Sequence, residues 1–210
     1  MGLKLAHIRR NYKKSKLSEE NIPEEPFSLF EKWFEESVIS NEVEPNAVVL
    51  STVSENKPSA RVVLLKEVSD DSFVFFTNYQ SRKGKEMEVN PFVALTFFWP
   101  LSERQVRVEG FVKKTDSEVS SKYFNSRPEE SRIGSVVSPQ SQVIISKKML
   151  EDEFFSLLNG NLPVVCPPHW GGYRCIPQTI EFWQGGEHRL HDRIRYTKEN
   201  GVWKTERLAP

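Results

Sequence analysis

Residues 60–90, ARVVLLKEVSDDSFVFFTNYQSRKGKEMEVN, carry two short apolar runs, 61–65 and 73–76, either side of the turn-prone Ser69, Asp70 and Asp71. Val, Leu and Phe pack well on a pleated surface and the acidic turn does not, so the stretch predicts a β-hairpin. Further strand-like runs fall at 47–53, 92–98, 105–112, 173–176, 179–183, 190–196 and 202–208. Turn signals stand at 55–58, at Gly185-Gly186 and at Asn200-Gly201. The whole chain reads as about eight or nine short strands with three or four helices, and no βαβ rhythm. That pattern predicts a mainly β protein, an antiparallel barrel with helical insertions, rather than a doubly wound sheet.

The helices follow from spacing. Phe27, Phe30, Phe34 and Val38 recur at three and four residues, predicting a helix over 26–38 with Pro26 in its first turn. Segments 82–89, 117–124 and 148–158 are also helical in pattern, the last with Leu150, Phe154, Leu157 and Leu158 on one face. Residues 125–130 read as a stop followed by a new start, with Pro128 early in the new helix. Residues 134–146 read as a loop around a short helix, and 159–172 is the least regular stretch. Residues 1–25 form a polar, basic arm before a single domain over 26–210. The arm is either a disordered solubilising segment or a flap that folds over an anionic site.

Composition removes several classes. Lys+Arg 29 balances Asp+Glu 29, so the basic field that extended nucleic-acid binding needs is missing. No stretch is long and apolar enough to span a membrane, and the start has no apolar secretory core. Gly2 invites myristoylation, but Ala6 stands where that motif wants a hydroxyl. Two cysteines, Cys166 and Cys175, make neither a disulfide scaffold nor a C-x-x-C motif, which favours a reducing, cytoplasmic compartment. The four histidines lack metal-ligand spacing, so no metal site is expected.

What remains is chemistry for small anions. Arg61, Ser81, Arg82 and Lys83 form one candidate group, at a helix start whose free N–H groups favour an anion. Arg82 and Lys83 are wrong for that end of an isolated helix, and a bound phosphate would remove the conflict. Tyr123, Arg127 and Ser131 form a second group, spaced by four, provided helical geometry persists through Pro128; Lys66 could join them. Opposite parity sends Arg61 and Lys66 to opposite faces of their strand unless a bulge intervenes, which suits two ligands. In GEHRLHDRIRY, strand periodicity puts Arg189, His191, Arg193 and Arg195 on one face: either a solvated edge strand or one crossing an anion, with Trp183 nearby.

Several motifs together resemble the pyridoxamine 5′-phosphate oxidase family: RVVLLK (61–66), FFTNYQSRKG (75–84), RQVRVEG (104–110), YFNSRPEES (123–131), VSPQS (137–141), EFWQG (181–185), RLHDR (189–193) and RLAP (207–210), with RRNY (9–12) upstream. The resemblance implies an FMN-binding antiparallel split β-barrel working as a homodimer, with FMN at the subunit interface. It implies FMN ligands at Arg61, Val62, Val63, Leu64, Leu65, Lys66, Phe76, Thr77, Arg82, Lys83, Gln105, Gln140, Ser141, Trp183 and Arg193. Substrate phosphate is expected at Lys66, Tyr123, Arg127 and Ser131, and the pyridine ring at the catalytic pair Arg189 and His191. Arg9 and Tyr12 would close the arm over the site when ligand is bound. The implied reaction oxidises pyridoxamine or pyridoxine 5′-phosphate to pyridoxal 5′-phosphate by hydride transfer from C4′ to flavin N5, with O2 reduced to H2O2. A split-barrel flavin reductase, or a non-catalytic binder of FMN or pyridoxal phosphate, is the alternative. Phe76 and Ser135 stand where the family often has Tyr and Ala, and the GGEH turn (185–188) differs from commoner polar versions.

Overall fold

The computed structural model describes residues 2–69, 71–160 and 163–210. Asp70 of the expected hairpin turn lies outside them, as do Met1 of the arm and Asn161 and Leu162 of the irregular stretch. In chain order the elements are α1 (Pro26–Ile39), β1 (Ala47–Ser54), β2 (Lys57–Ser69), β3 (Ser72–Asn78), α2 (Arg82–Val89), β4 (Phe92–Trp99), β5 (Arg104–Lys114), α3 (Ser117–Ser126), α4 (Glu129–Val137), α5 (Lys147–Leu158), β6 (Trp170–Gln184), β7 (Asp192–Glu199) and β8 (Val202–Arg207). The strands hydrogen-bond in the order β3-β2-β1-β4-β5-β6-β7-β8, and β3 also pairs with β6. The β2–β3, β3–β6, β6–β7 and β7–β8 pairs are all antiparallel. This is the expected mainly β split barrel with helical insertions.

The described residues fall into two compact units. One comprises Leu50–Ala94 and Gly110–Ile176. Its core is the β3 run Phe73, Val74 and Phe75, fully buried and hydrogen-bonded to the first half of β6. Phe75 stacks on Tyr173 at 5.8 Å. The other unit comprises Met1–Val49, Leu95–Glu109 and Pro177–Pro210. There α1 packs Phe30 against Phe97 at 5.1 Å and Trp33 edge-on against Phe182 at 5.2 Å. The Arg104 guanidinium lies 4.4 Å over the Trp33 ring, donates to Gln184 Oε1 and pairs with Glu36. Each such buried aromatic contributes about 1.5–3 kcal/mol of apolar transfer.

Several expectations are corrected. Of the expected Phe27–Phe30–Phe34–Val38 stripe only Phe30 is buried, Phe27 and Phe34 are half-buried and Val38 is exposed; the buried apolar set is Leu29, Phe30 and Trp33. Both sets have helical spacing, and the one carrying the indole removes more apolar area from water. Residues 173–176 and 179–183 are one strand, β6. Pro177, which lacks an N–H, sits where the β3 register has ended at Cys175 and the β7 register has not begun at Thr179. Pro58 does not end a strand but lies inside β2. Residues 134–137 are the end of α4 rather than loop. No residue of α5 is buried, so its apolar face is only partly covered in this chain.

Helix α2 forms where its pattern predicts. The Ser81 hydroxyl caps it by accepting the Gly84 N–H at 3.3 Å. Position 84 has no room for a side chain: a Cβ there would stand 2.1 Å from the Tyr79 carbonyl oxygen. Gly84→Ala is therefore expected to cost about 1–3 kcal/mol or more of stability, read from the urea midpoint at unchanged slope. A variant within ~0.5 kcal/mol of the parent would contradict this close approach.

Candidate functional site

In the unit built from Leu50–Ala94 and Gly110–Ile176, a cavity of about 520 Å³ gathers residues far apart in sequence. Val62, Val63, Leu64 and Lys66 of β2 and Phe76 and Thr77 of β3 line it, with Lys83 of α2. Tyr123, Arg127, Ser131 and Gln140 line it too. The volume falls in the range of roughly 300–1,000 Å³ usual for ligand sites.

Local structure explains how they meet. The β2–β3 register slips between Leu65 and Glu67, leaving Lys66 at a bulge. Lys66 faces the cavity with Val62 and Leu64, while Arg61 turns elsewhere, so the expected separation of the two cations holds despite the bulge. Helical geometry does not persist from Tyr123 to Ser131. Helix α3 ends at Ser126, Arg127 is extended (φ −81, ψ 152), and Pro128 caps α4 rather than entering it. Proline disfavours helical backbone in the residue before it. The trio still converges, because the break turns the chain back along the cavity.

The wall behind these groups is aromatic. Phe76 stacks on Tyr123 at 4.0 Å and on Trp170 at 5.6 Å, and the Arg127 guanidinium lies 4.8 Å from the Trp170 centroid. Arg127 Nη1 donates to Ser135 Oγ at 2.8 Å, and that hydroxyl donates to the Ser131 carbonyl. Phe76 therefore supports Tyr123 through its ring, a job that needs no hydroxyl.

Charge is the site's most telling feature. Lys83 is 8% exposed, and its ammonium reaches only neutral acceptors, Thr77 Oγ1 and Gln140 Oε1, both at 3.3 Å. Burial, reinforced by the Arg61 charge and only partly opposed by the more distant Glu86 carboxylate, draws its pKa below the ordinary lysine value. Burial likewise lowers Arg127. No carboxylate among the described residues pairs with Lys83, Arg127 or Lys66. Both terminal nitrogens of Arg61 are engaged, with Thr52 Oγ1 at 2.6 Å, Ser59 Oγ at 2.6 Å, Glu86 Oε2 at 2.9 Å and a longer contact to the Leu50 carbonyl. Arg82 Nε donates to Glu86 Oε1 at 2.8 Å, so this i,i+4 carboxylate already offsets the misplaced helix-start charge. Burial pushes the Glu86 carboxyl up, but hydrogen bonds from Thr52, Arg82 and Arg61 outweigh it and hold the group below its usual value. Leu65 is buried and Ser141 is exposed with φ 71; neither lines the cavity.

The unit containing Pro177–Pro210 holds the remaining predicted residues. The chain from Glu187 to Arg189 is a 3-10 turn with His188 and Arg189 at positive φ, and β7 begins only at Asp192. The expected four-residue cationic face is thereby cut to Arg193 and Arg195. Arg193 donates to Glu181 Oε1 and the Ala209 carbonyl, each at 2.9 Å. Arg195 pairs with Glu206. Arg189 is exposed, with no partner among the described residues. His191 Nδ1 accepts the Gly186 N–H at 3.1 Å, so Nε2 carries the ring proton of the neutral form. Tyr12 lies edge-on to Trp183 and His191, at 5.6 and 5.8 Å. Arg9, Tyr12, Arg189 and His191 line one cavity of about 740 Å³. Gln105 is half-buried on β5.

Sequence reasoning missed Trp170, Glu86 and Glu103, and named Ser135 only as a departure from the family pattern, not as a partner of Arg127. Ser135 was readable as one further step of four along Tyr123–Arg127–Ser131. Trp170 sat in the least regular stretch, and nothing in the pattern marked Glu86 or Glu103 among 29 acidic residues.

A split barrel with a cation-lined cavity defines an anion-binding class. Comparison with known proteins narrows it. Residues 37–157 match the family model described as pyridoxamine 5′-phosphate oxidase, and residues 170–210 match the pyridoxine 5′-phosphate oxidase C-terminal dimerisation region. A pyridoxine/pyridoxamine 5′-phosphate oxidase of Actinobacillus succinogenes is 53% identical over 210 residues, covering 99% of this chain and all of its relative. One from Hydrogenovibrio crunogenus, named pyridoxine/pyridoxamine 5′-phosphate oxidase 2, is 51% identical over 215 residues, covering 100% of both chains. Among solved structures, PhzG from Burkholderia lata 383, in complex with tetrahydrophenazine-1-carboxylic acid, superposes with TM-score 0.88 at 28% identity, over 91% of this chain and 95% of that one. The chain belongs to the pyridoxine/pyridoxamine 5′-phosphate oxidase family.

The Glu86 cluster has a pH signature. A carboxyl lowered in the folded state contributes stability that is present above its unfolded pKa, near 4.5, and lost as pH falls through the folded value. Glu86→Gln should therefore show a shallower loss of stability than the parent on acidification below about pH 4.5, read from urea midpoints. Parallel acid limbs would contradict the cluster.

Proposed function

We infer that this chain is an FMN-dependent oxidase that converts pyridoxamine or pyridoxine 5′-phosphate to pyridoxal 5′-phosphate. The observation that carries the reading is the cavity whose inner cations, Lys83 and Arg127, have no carboxylate partner among the described residues. A buried ammonium beside neutral acceptors is costly, and a phosphate dianion is the partner its surroundings fit. A flavin reductase would have no use for a second phosphate-binding group such as Tyr123, Arg127 and Ser131.

FMN fits the chain's donor set. Lys83, with Thr77 and Gln140 at its ammonium, would meet the cofactor from the cavity, along with Val62, Val63, Leu64 and Phe76 of its wall. The residues outside the cavity, Arg61, Leu65, Arg82, Gln105, Ser141, Trp183 and Arg193, are proposed to complete the cofactor set. Arg82 is well suited, because its terminal nitrogens remain open while Nε is held by Glu86. When bound, FMN would supply the two-electron acceptor that no side chain offers, with O2 as the final oxidant.

The chain's own residues bind and orient. Arg127, Tyr123, Ser131 and Lys66 would grip the substrate phosphate, and that binding energy is available to fix the ring. Trp170 and Ser135 hold the Arg127 plane at two sides, so its fork is aimed before the ligand arrives. Arg189 would press the pyridine ring toward the flavin. His191 would offer its Nε2 proton to a polar group of the ring, since Nδ1 is occupied. Residues 26–210 would act as one FMN-binding domain under the arm of residues 1–25, in a homodimer with FMN at the subunit interface. The matched dimerisation region supports the homodimer.

The direct test is the absorbance spectrum of the purified protein, followed by pyridoxamine 5′-phosphate in air with peroxide measured. A flavin band and peroxide matching product are expected; a colourless protein inactive even with added FMN would sink the reading. Arg127→Met should raise the substrate KM at least about tenfold with FMN affinity retained, as loss of a bidentate charged contact implies. Ser135→Ala should raise it only about two- to fivefold, removing one neutral hydrogen bond that aims Arg127. Selective loss of FMN in either variant would show that the two phosphate assignments are exchanged.

A further inference from the structure

We propose that Glu103 is a positioning residue that latches the N-terminal arm over His191. Glu103 is 3% exposed, and its carboxylate is turned onto the arm. Oε2 accepts the backbone N–H groups of Lys13 and Lys14, at 2.8 and 3.0 Å, and Oε1 lies 3.7 Å from Arg10 Nη2. Arg10 also donates to the Pro100 carbonyl at 3.1 Å. The residue adopts φ 56, an unfavourable region for a side chain with a Cβ. Such a conformation persists when the surroundings fix it, and here Gly185 N–H and Gln184 Nε2 both donate to the Glu103 carbonyl.

The consequence falls on Tyr12. Lys13 and Lys14 are held immediately after it, so the latch sets where its ring lies, edge-on to Trp183 and His191. Gly185 makes this approach possible: a Cβ there would stand 2.7 Å from Tyr12. Closer to α1 the arm has separate anchors. The Leu17 N–H bonds Asp192 Oδ2, its carbonyl accepts from Arg207, and the Pro23 carbonyl accepts from the Tyr196 hydroxyl. Losing Glu103 would therefore free the tip while its base stays docked. The catalytic consequence rests on the reading above, in which His191 meets the substrate ring; the latch itself does not.

Glu103→Gly removes the carboxylate and relieves the positive-φ cost while leaving the backbone acceptor in place. In the flavin-loaded protein, tryptic cleavage within residues 9–14 should accelerate at least about tenfold, as loss of two charge-assisted hydrogen bonds implies. The KM for pyridoxamine 5′-phosphate should rise, with kcat and FMN content within about twofold of the parent. Lys13→Pro removes one donor from the exposed arm itself, and with it the tryptic site after residue 13, so its cleavage is read after Arg9 and Arg10; there it should reproduce both effects. In the double variant the second change should add little, since both break the same contact. Cleavage at the parental rate in both single variants would overturn the latch. Faster cleavage with unchanged KM would overturn its role in positioning. If the parent binds no flavin and makes no peroxide, the site reading fails, and the cleavage comparison still decides the latch.

Discussion

Uncompensated positive charge inside a folded chain is expensive, and the placement of this molecule's side chains follows from where that charge is neutralised and where it is left open. Glu86 neutralises Arg61 and Arg82, with Thr52 completing its shell. Glu181 and Glu206 do the same for Arg193 and Arg195. Lys83 and Arg127 receive only hydroxyls, an amide and an indole face. A fold that gives carboxylates to these more exposed arginines, and none to the more buried Lys83 and Arg127 of one cavity, is prepared for an anionic ligand.

The scaffold accounts for how that exemption is held. Ser81 caps α2 so that Lys83 points inward, while the closeness of Gly84 to the Tyr79 carbonyl fixes the helix against the chain before it. On the far wall the break at Arg127–Pro128 separates α3 from α4 and lets residues of both face the same space. The bulge at Lys66 marks the end of the regular β2–β3 register beside them. Each is a local irregularity in an otherwise regular element, and irregularities of this kind are common where side chains must be re-aimed at a ligand.

The sequence was informative where a single physical signal dominates. The β3 run and the α2 cap were legible because burial and capping have short-range signatures, and the family motifs identified Lys66, Tyr123, Arg127 and Ser131 as a set. It was misleading where two elements share a pattern. The alternation from Arg189 to Arg195 reads as one strand, yet His188 and Arg189 take positive φ and the strand starts only at Asp192, which alternation does not encode. On α1 the expected stripe and the buried set share Phe30, and only packing, Trp33 against Phe182, shows which neighbours go with it. Glu86 and Glu103 were invisible for a different reason. Their significance lies wholly in what they touch, at sequence separations of 25 to Arg61 and 90 to Lys13.

The charge account has one most direct test: the thermal midpoint of flavin-stripped protein as inorganic phosphate is titrated, for the parent and for Lys83→Met with Arg127→Met. An anion that binds only the folded chain raises its stability by mass action. The midpoint of the parent should climb with phosphate at fixed ionic strength, while that of the double variant starts higher and stays nearly level. Equal climbs in the two proteins would contradict the claim that the open cations of this cavity are what the ligand is for.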